Sequence, residues 1–142
     1  MTCSFFGCNK YSFELFYFVR KTAKDLIENH DVDTFYICQQ GTLDRTAVAV
    51  LDHLRLYTHP HIKMKYALPN EQGTKDLQAF TRLAQLEYDK NMPPHKAIAK
   101  RYIGMLQTMD FVIVSCQNKE VLPLLSELAK NYKAQLCFVD EQ

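Results

Sequence analysis

Five short runs rich in strand-forming residues, "TCSFF", "DTFYIC", "IKMKYAL", "DFVIVSC" and "AQLCFV", alternate along this chain with longer segments whose apolar residues recur at helical spacing. No other feature limits the fold so strongly. Strands joined by helices pair in parallel, the crossovers are right-handed, and the helices are forced onto both faces of the sheet. The expectation is an α/β domain built on a mostly parallel sheet.

The helical segments carry clear stripes. "FELFYFVRKTAKDLIENH" sets Phe16, Val19, Ala23 and Leu26 on one face and ends at Asn29 and His30. Thr42 suits an N-cap before a helix with Ala47, Val50, Leu51 and Leu54 buried, and Pro60 closes that helix. "HKAIAKRYIGMLQTM" reads as a helix despite Gly104, and "EVLPLLSELAKNY" places Val121, Leu125, Leu128 and Tyr132 together. "TKDLQAFTRLAQLEYDK" has helical spacing at Leu77, Phe80 and Ala84 between loop-like flanks, so residues 70–92 are read either as a helix or as a mobile lid. With strand order 3-2-1-4-5 the chain becomes a Rossmann-like three-layer sandwich, a single domain over residues 1–142. Its switch point then falls between the first and fourth strands, and a ligand would sit at the carboxyl ends of the central strands. That rim comprises Gly7 to Asn9, Cys38 to Arg45 and Ser115 to Lys119.

Composition narrows the partners. A formal charge of +1 provides no net field for nucleic acid or an anionic membrane, so neither is expected as a partner. No apolar run has the length to span a bilayer, and "MTCSFFGCNK" lacks the basic-then-apolar layout of a signal peptide, so a cytoplasmic protein is expected. Cys3, Cys8, Cys38, Cys116 and Cys137 are odd in number and lack C-x-x-C spacing, which argues against a disulfide framework.

The residues also carry a resemblance over nearly the whole chain. "TCSFFG", "DLIENHDVDTFYICQQGTLDR" and "AIAKRYIGML…MDFVIV" resemble a group of small bacterial proteins in the SLOG superfamily, Rossmann-like domains that bind nucleotide-derived ligands. That group's pattern ends the first strand in F-G-H-R, follows the second with G-N-Q-G and F-D-R, and carries W-R-N-K-W-M on a later helix. The resemblance maps Gly7, Gln40, Gly41, Asp44, Arg45 and Arg101 onto those motifs. Cys8 and Asn9 stand where the pattern has His-Arg, Cys38 replaces a glycine, Tyr102 replaces an asparagine, and "QNKEVL" lacks an expected glycine pair. The departures gather at the rim. The resemblance implies a nucleotide or nucleotide-derived ligand held by Gly7, Asn9, Gln40, Gly41, Thr42, Asp44, Arg45 and Arg101.

Elementary chemistry assigns each group a role and an alternative. Gly41 either brings backbone amides to a phosphate at a helix N-terminus or simply lets the chain turn ahead of Thr42. Asp44 would accept ribose hydroxyls, or would favour its own helix dipole. Arg45 and Arg101 offer guanidinium forks to phosphate, or pair with Asp44 and Asp110. Cys8, Cys38 and Cys116, with His95, pose the question of zinc, although their spacing matches no zinc signature and no metal or cofactor is expected. His59 and His61 bracket Pro60 as a polar connection. No catalytic constellation is present; were the chain a nucleoside-phosphate hydrolase, Asp44 is the candidate acid or base. Two further readings are a domain that has lost its pocket and serves as an interaction scaffold, and self-association through the aromatic start "FELFYF".

Overall fold

The computed structural model describes residues 1–8, 12–37, 42–66, 95–116 and 121–139. Its elements run β1 (Thr2–Cys8), α1 (Phe13–Asn29), β2 (Thr34–Tyr36), α2 (Thr42–Tyr57), β3 (Lys63–Lys65), α3 (His95–Thr108), β4 (Phe111–Cys116), α4 (Val121–Ala129) and β5 (Gln135–Phe138). The expected helix or lid at 70–92 lies outside the described residues.

All strand pairs are parallel, and the sheet order is β3-β2-β1-β4-β5. The expected Rossmann-like α/β topology is therefore the observed one. Side chains alternate across the sheet as the strand period of two requires. Cys3, Phe5, Phe35, Ile37, Phe111 and Ile113 join one apolar cluster with the inner faces of α1 and α2. Phe6, Val112 and Val114 join the other cluster, with α3 and α4. Both halves of the core thus meet on β1 and β4.

Local chemistry explains the element ends. Ser12 caps α1, its hydroxyl accepting the Leu15 N–H at 3.0 Å, and α1 buries Leu15, Val19, Ala23, Leu26 and Ile27. The stripe is the expected one, except that Leu15 is the residue fully buried at its start and Phe16 only flanks the cluster. Asp31 then takes a left-handed conformation (φ 57°), which aspartate tolerates better than most residues, and the chain turns into β2. Thr42 is the first helical residue of α2, one position inside the expected cap, and its carbonyl accepts the Thr46 hydroxyl at 2.8 Å. His59 ties this half together: one ring nitrogen lies 2.9 Å from Glu28 of α1, the other 2.6 Å from the Thr58 hydroxyl. His59 and His61 are thus a polar connection, their rings 6.2 Å apart.

At the end of the sheet opposite the rim, Asp110 staples β4 to β1. Its carboxylate accepts the Thr2 N–H at 2.8 Å and the Thr2 hydroxyl at 3.2 Å, and Lys133 lies 3.5 Å away. Asp110 is therefore held by Thr2 and Lys133. Burial alone would raise its pKa, but the Thr2 bonds and the Lys133 ammonium outweigh it and hold the carboxyl below its ordinary value. A depressed folded value gives stability that is present above the unfolded pKa, about 3.9, and lost as pH falls through the folded one. The side chain is 33% exposed, so solvent screening keeps the contribution at about 1 kcal/mol or less. Asp110→Asn should accordingly be less stable than the wild type at pH 7 and converge with it in strong acid. Urea unfolding at neutral and acid pH checks this; a difference that persists unchanged in acid would show that the ionised carboxylate contributes nothing.

Candidate functional site

The strand order puts the switch point between β1 and β4, where two outward-running crossovers leave the sheet in opposite directions. At that point Gly7 pairs in register with Ser115, and Cys8 with Cys116. Gly7 has φ 148°, in the region that side chains rarely adopt. A Cβ built there would lie 2.7 Å from the Ser115 carbonyl carbon and closer still to its oxygen. The glycine is therefore demanded by the approach of β4 to β1, with or without a ligand.

Beside this pair, the first turn of α2 divides its charges. Asp44 is turned inward and is 6% exposed, whereas Arg45 is exposed to solvent. The two neighbours thus have different prospects. A guanidinium in solvent can swing onto an anion at the rim. A carboxylate so enclosed leaves little surface for a ribose, or for the water that a general base would have to reach. Of the other expected site residues, Arg101 belongs to α3, its side chain outside the described part, and Asn9, Gln40 and Gly41 lie outside the described residues.

Tyr102, which replaces the asparagine of the resembled pattern, is a core residue. It is fully buried, its ring centroid 4.5 Å from that of Phe6 and its hydroxyl donating to the Leu125 carbonyl at 3.1 Å. Burial pushes its phenol far above the ordinary pKa, so it remains a donor. The helical phase that turns Ile103, Leu106 and Met109 to the sheet brings Tyr102 with them.

The thiols divide in the same manner. Cys8 and Cys116 are register partners at the rim, with side chains outside the described part, as is all of Cys38. Cys3 and Cys137 are free thiols. Burial, with the nearby Cys137, pushes Cys3 up; burial, with Asp25, does the same to Cys137, so both favour the protonated form, which does not ligate metal. Among the described residues no three metal-ligating side chains converge.

A groove of about 720 Å³ lies elsewhere, between α1 and β5. Tyr17, Lys21, Lys24, Asp25, Glu28 and Cys137 line it, and of these only Tyr17 belongs to the aromatic start that the sequence marked for self-association. Tyr17 (58%) and Phe13 (85%) are exposed, while Phe16 and Phe18 pack partly against the core, so the aromatic start of α1 is shared between interior and surface. Lys21, Lys24, Asp25 and Glu28 fall together on the side of α1 opposite its buried stripe, which in sequence is the pattern of a solvated helix face.

Protein-family models, curated proteins and solved structures were compared with the chain, and none matches it. No helix of the described residues is long and apolar enough to cross a membrane.

Proposed function

We propose that this chain is a ligand-binding module that holds a nucleotide or nucleotide-derived molecule at the carboxyl rim of its sheet. The strand order β3-β2-β1-β4-β5 supports this most, since ligands of open α/β sheets bind at the switch point that such an order creates. Arg45 supplies phosphate neutralisation from the first turn of α2, and the resemblance to the SLOG superfamily adds Arg101 from α3. Gly41 would give close backbone approach, Asn9 and Gln40 are further ligand-binding candidates, and Thr42 starts the helix whose N-terminus faces the anion. Asp44, inward as it is, takes the lesser part of contacting a ribose.

A panel of nucleotides tested by thermal unfolding is the direct check. Ligand at a hundred times its dissociation constant adds about 2.7 kcal/mol, which for a domain of this size raises Tm by several degrees. Arg45→Ala should remove the shift for a phosphate-bearing ligand without lowering the Tm of the free protein, and Arg101→Ala should weaken it. No shift with any nucleotide would sink the reading for that panel.

One observation favours a second reading. Tyr102, a bulky side chain where the resembled pattern has an asparagine, is fully buried between Phe6 of β1 and Leu125 of α4. A domain closed in this way is an interaction module, and protein partners rather than nucleotides would then stabilise it.

A further inference from the structure

The sheet has two edges, and they are treated differently. β3 presents Lys63 and Lys65, both exposed. Charged side chains, lysine above all, protect an edge from pairing with another chain. β5, "QLCF", has neither charge nor proline, and Leu136, Cys137 and Phe138 are only half buried. The Gln135 N–H donates to the Asp110 carbonyl at 2.9 Å and the Val139 N–H to the Val114 carbonyl at 3.0 Å. Because backbone groups alternate in direction along a strand, the N–H and C=O of Leu136 and Phe138 face away from β4.

The geometry points to a second copy of this chain as the occupant of the β5 edge, in antiparallel β5–β5 pairing about a two-fold axis at Cys137, with the α1 groove facing its mate across the axis. Such an axis is the simplest operator by which one edge pairs with itself. It sets Leu136 opposite the partner's Phe138 as a hydrogen-bonded pair, and Phe138 opposite the partner's Leu136, each pair exchanging two backbone bonds. Cys137 then meets its own copy as a non-hydrogen-bonded pair with Cα atoms about 4.5 Å apart.

Charge complementarity on α1 selects a second copy over an unrelated strand. Lys21 and Lys24 precede Asp25 and Glu28 along the groove. In an antiparallel arrangement, Lys21 faces the partner's Glu28 and Lys24 faces the partner's Asp25, and both pairs share one midpoint, between residues 24 and 25. Asp25 and Cys137 line the same groove, so the helix pairs and the strand pairs fall along one cleft. One axis thus satisfies the helix charges and the strand register together. The inference does not depend on the nucleotide reading, because the groove shares no described residue with the rim.

Sedimentation equilibrium of the reduced full chain tests it. The wild type should dimerise in the micromolar range, and K21E/K24E should weaken the dimer at least tenfold by opposing like charges across the axis. D25K/E28K should do the same alone, and mixing the two variants should restore a heterodimer, which no fold defect could mimic. Circular dichroism of each variant verifies folding, a needed control because Glu28 also lies 2.9 Å from His59, and Asp25 accepts from the Asn29 amide at 2.6 Å and lies 3.7 Å from His30. Copper-catalysed air oxidation should join two Cys137 thiols as an intermolecular disulfide, for which a Cα separation of about 4.5 Å is adequate. That product should be lost in Cys137→Ser and kept in Cys3→Ser. A wild type that stays monomeric at several hundred micromolar overturns the proposal. So does a dimer that neither charge reversal weakens nor Cys137 cross-links, since another surface would then form it.

Discussion

Gly7→Ala is expected to prevent stable folding. The residue sits within the pairing of β1 and β4, where residues from Cys3 to Cys8 lie in register with Phe111 to Cys116. An added methyl meets two objections at once. It must adopt φ 148°, which L-residues rarely tolerate, and it must enter space held by the Ser115 carbonyl. Backbone cannot swing aside as a flexible side chain can, so relief requires parting the strands on which both apolar clusters depend. A loss of about 4 kcal/mol or more is the expected class of effect, set against a total stability of about 5–15 kcal/mol. Urea unfolding followed by circular dichroism, or failure to recover soluble protein, would register it. A loss below about 1 kcal/mol would mean that Gly7 relaxes into ordinary strand geometry. Because this glycine is needed for the fold itself, Arg45 is the cleaner probe of ligand binding at the rim.

Tyr102→Ala should cost nearly as much, about 3–5 kcal/mol, the range for removing a large aromatic side chain from a core. The ring lies against Phe6 and among the residues by which α3 and α4 meet the sheet, so its removal leaves a cavity that several elements share. Tyr102→Phe separates the hydroxyl from the ring. It keeps the ring in place and loses the bond to the Leu125 carbonyl, for about 1 kcal/mol. A ratio near unity between the two variants would show that the hydrogen bond, and not the ring, is what the core relies on. The same pair bears on the two functional readings: if truncation opens the rim to nucleotides that the wild type does not bind, the scaffold reading gains.

The alternation of strand and helix was legible because burial on two faces writes itself into composition, whereas the order 3-2-1-4-5 was assumed, since crossover handedness sets the face each helix covers and not the order of the strands. The buried stripe of α2, Ala47 to Leu54, was readable residue by residue for the same reason. The rim was less so. The role of Gly7 depends on the backbone of Ser115, far away in sequence, so the chain announced a glycine at a strand end without revealing what crowded it. Tyr102 was legible only as a departure from the resembled pattern, because pattern alone does not fix the phase of the helix in "AKRYIGML". Asp44 and Arg45 are adjacent and both polar, yet one turns inward and the other outward, a distinction that periodicity makes only once the helix start is known.

The pairing of β1 with β4 has a consequence for how the molecule comes into being. Thr2 and Asp110, which join these strands at one end, are separated by 108 positions in the chain. During synthesis the β1–α1–β2–α2–β3 half can assemble by short loops, burying one face of β1, while the other flank of that strand waits for residues not yet made. Closing so long a loop is entropically slow to be rewarded. For that interval the nascent protein carries an unmatched, largely apolar central strand, the kind of surface that invites association with other unfinished chains. The recovery of this protein in a cell should therefore depend on the interval before β4 is made as well as on the contacts of the finished fold.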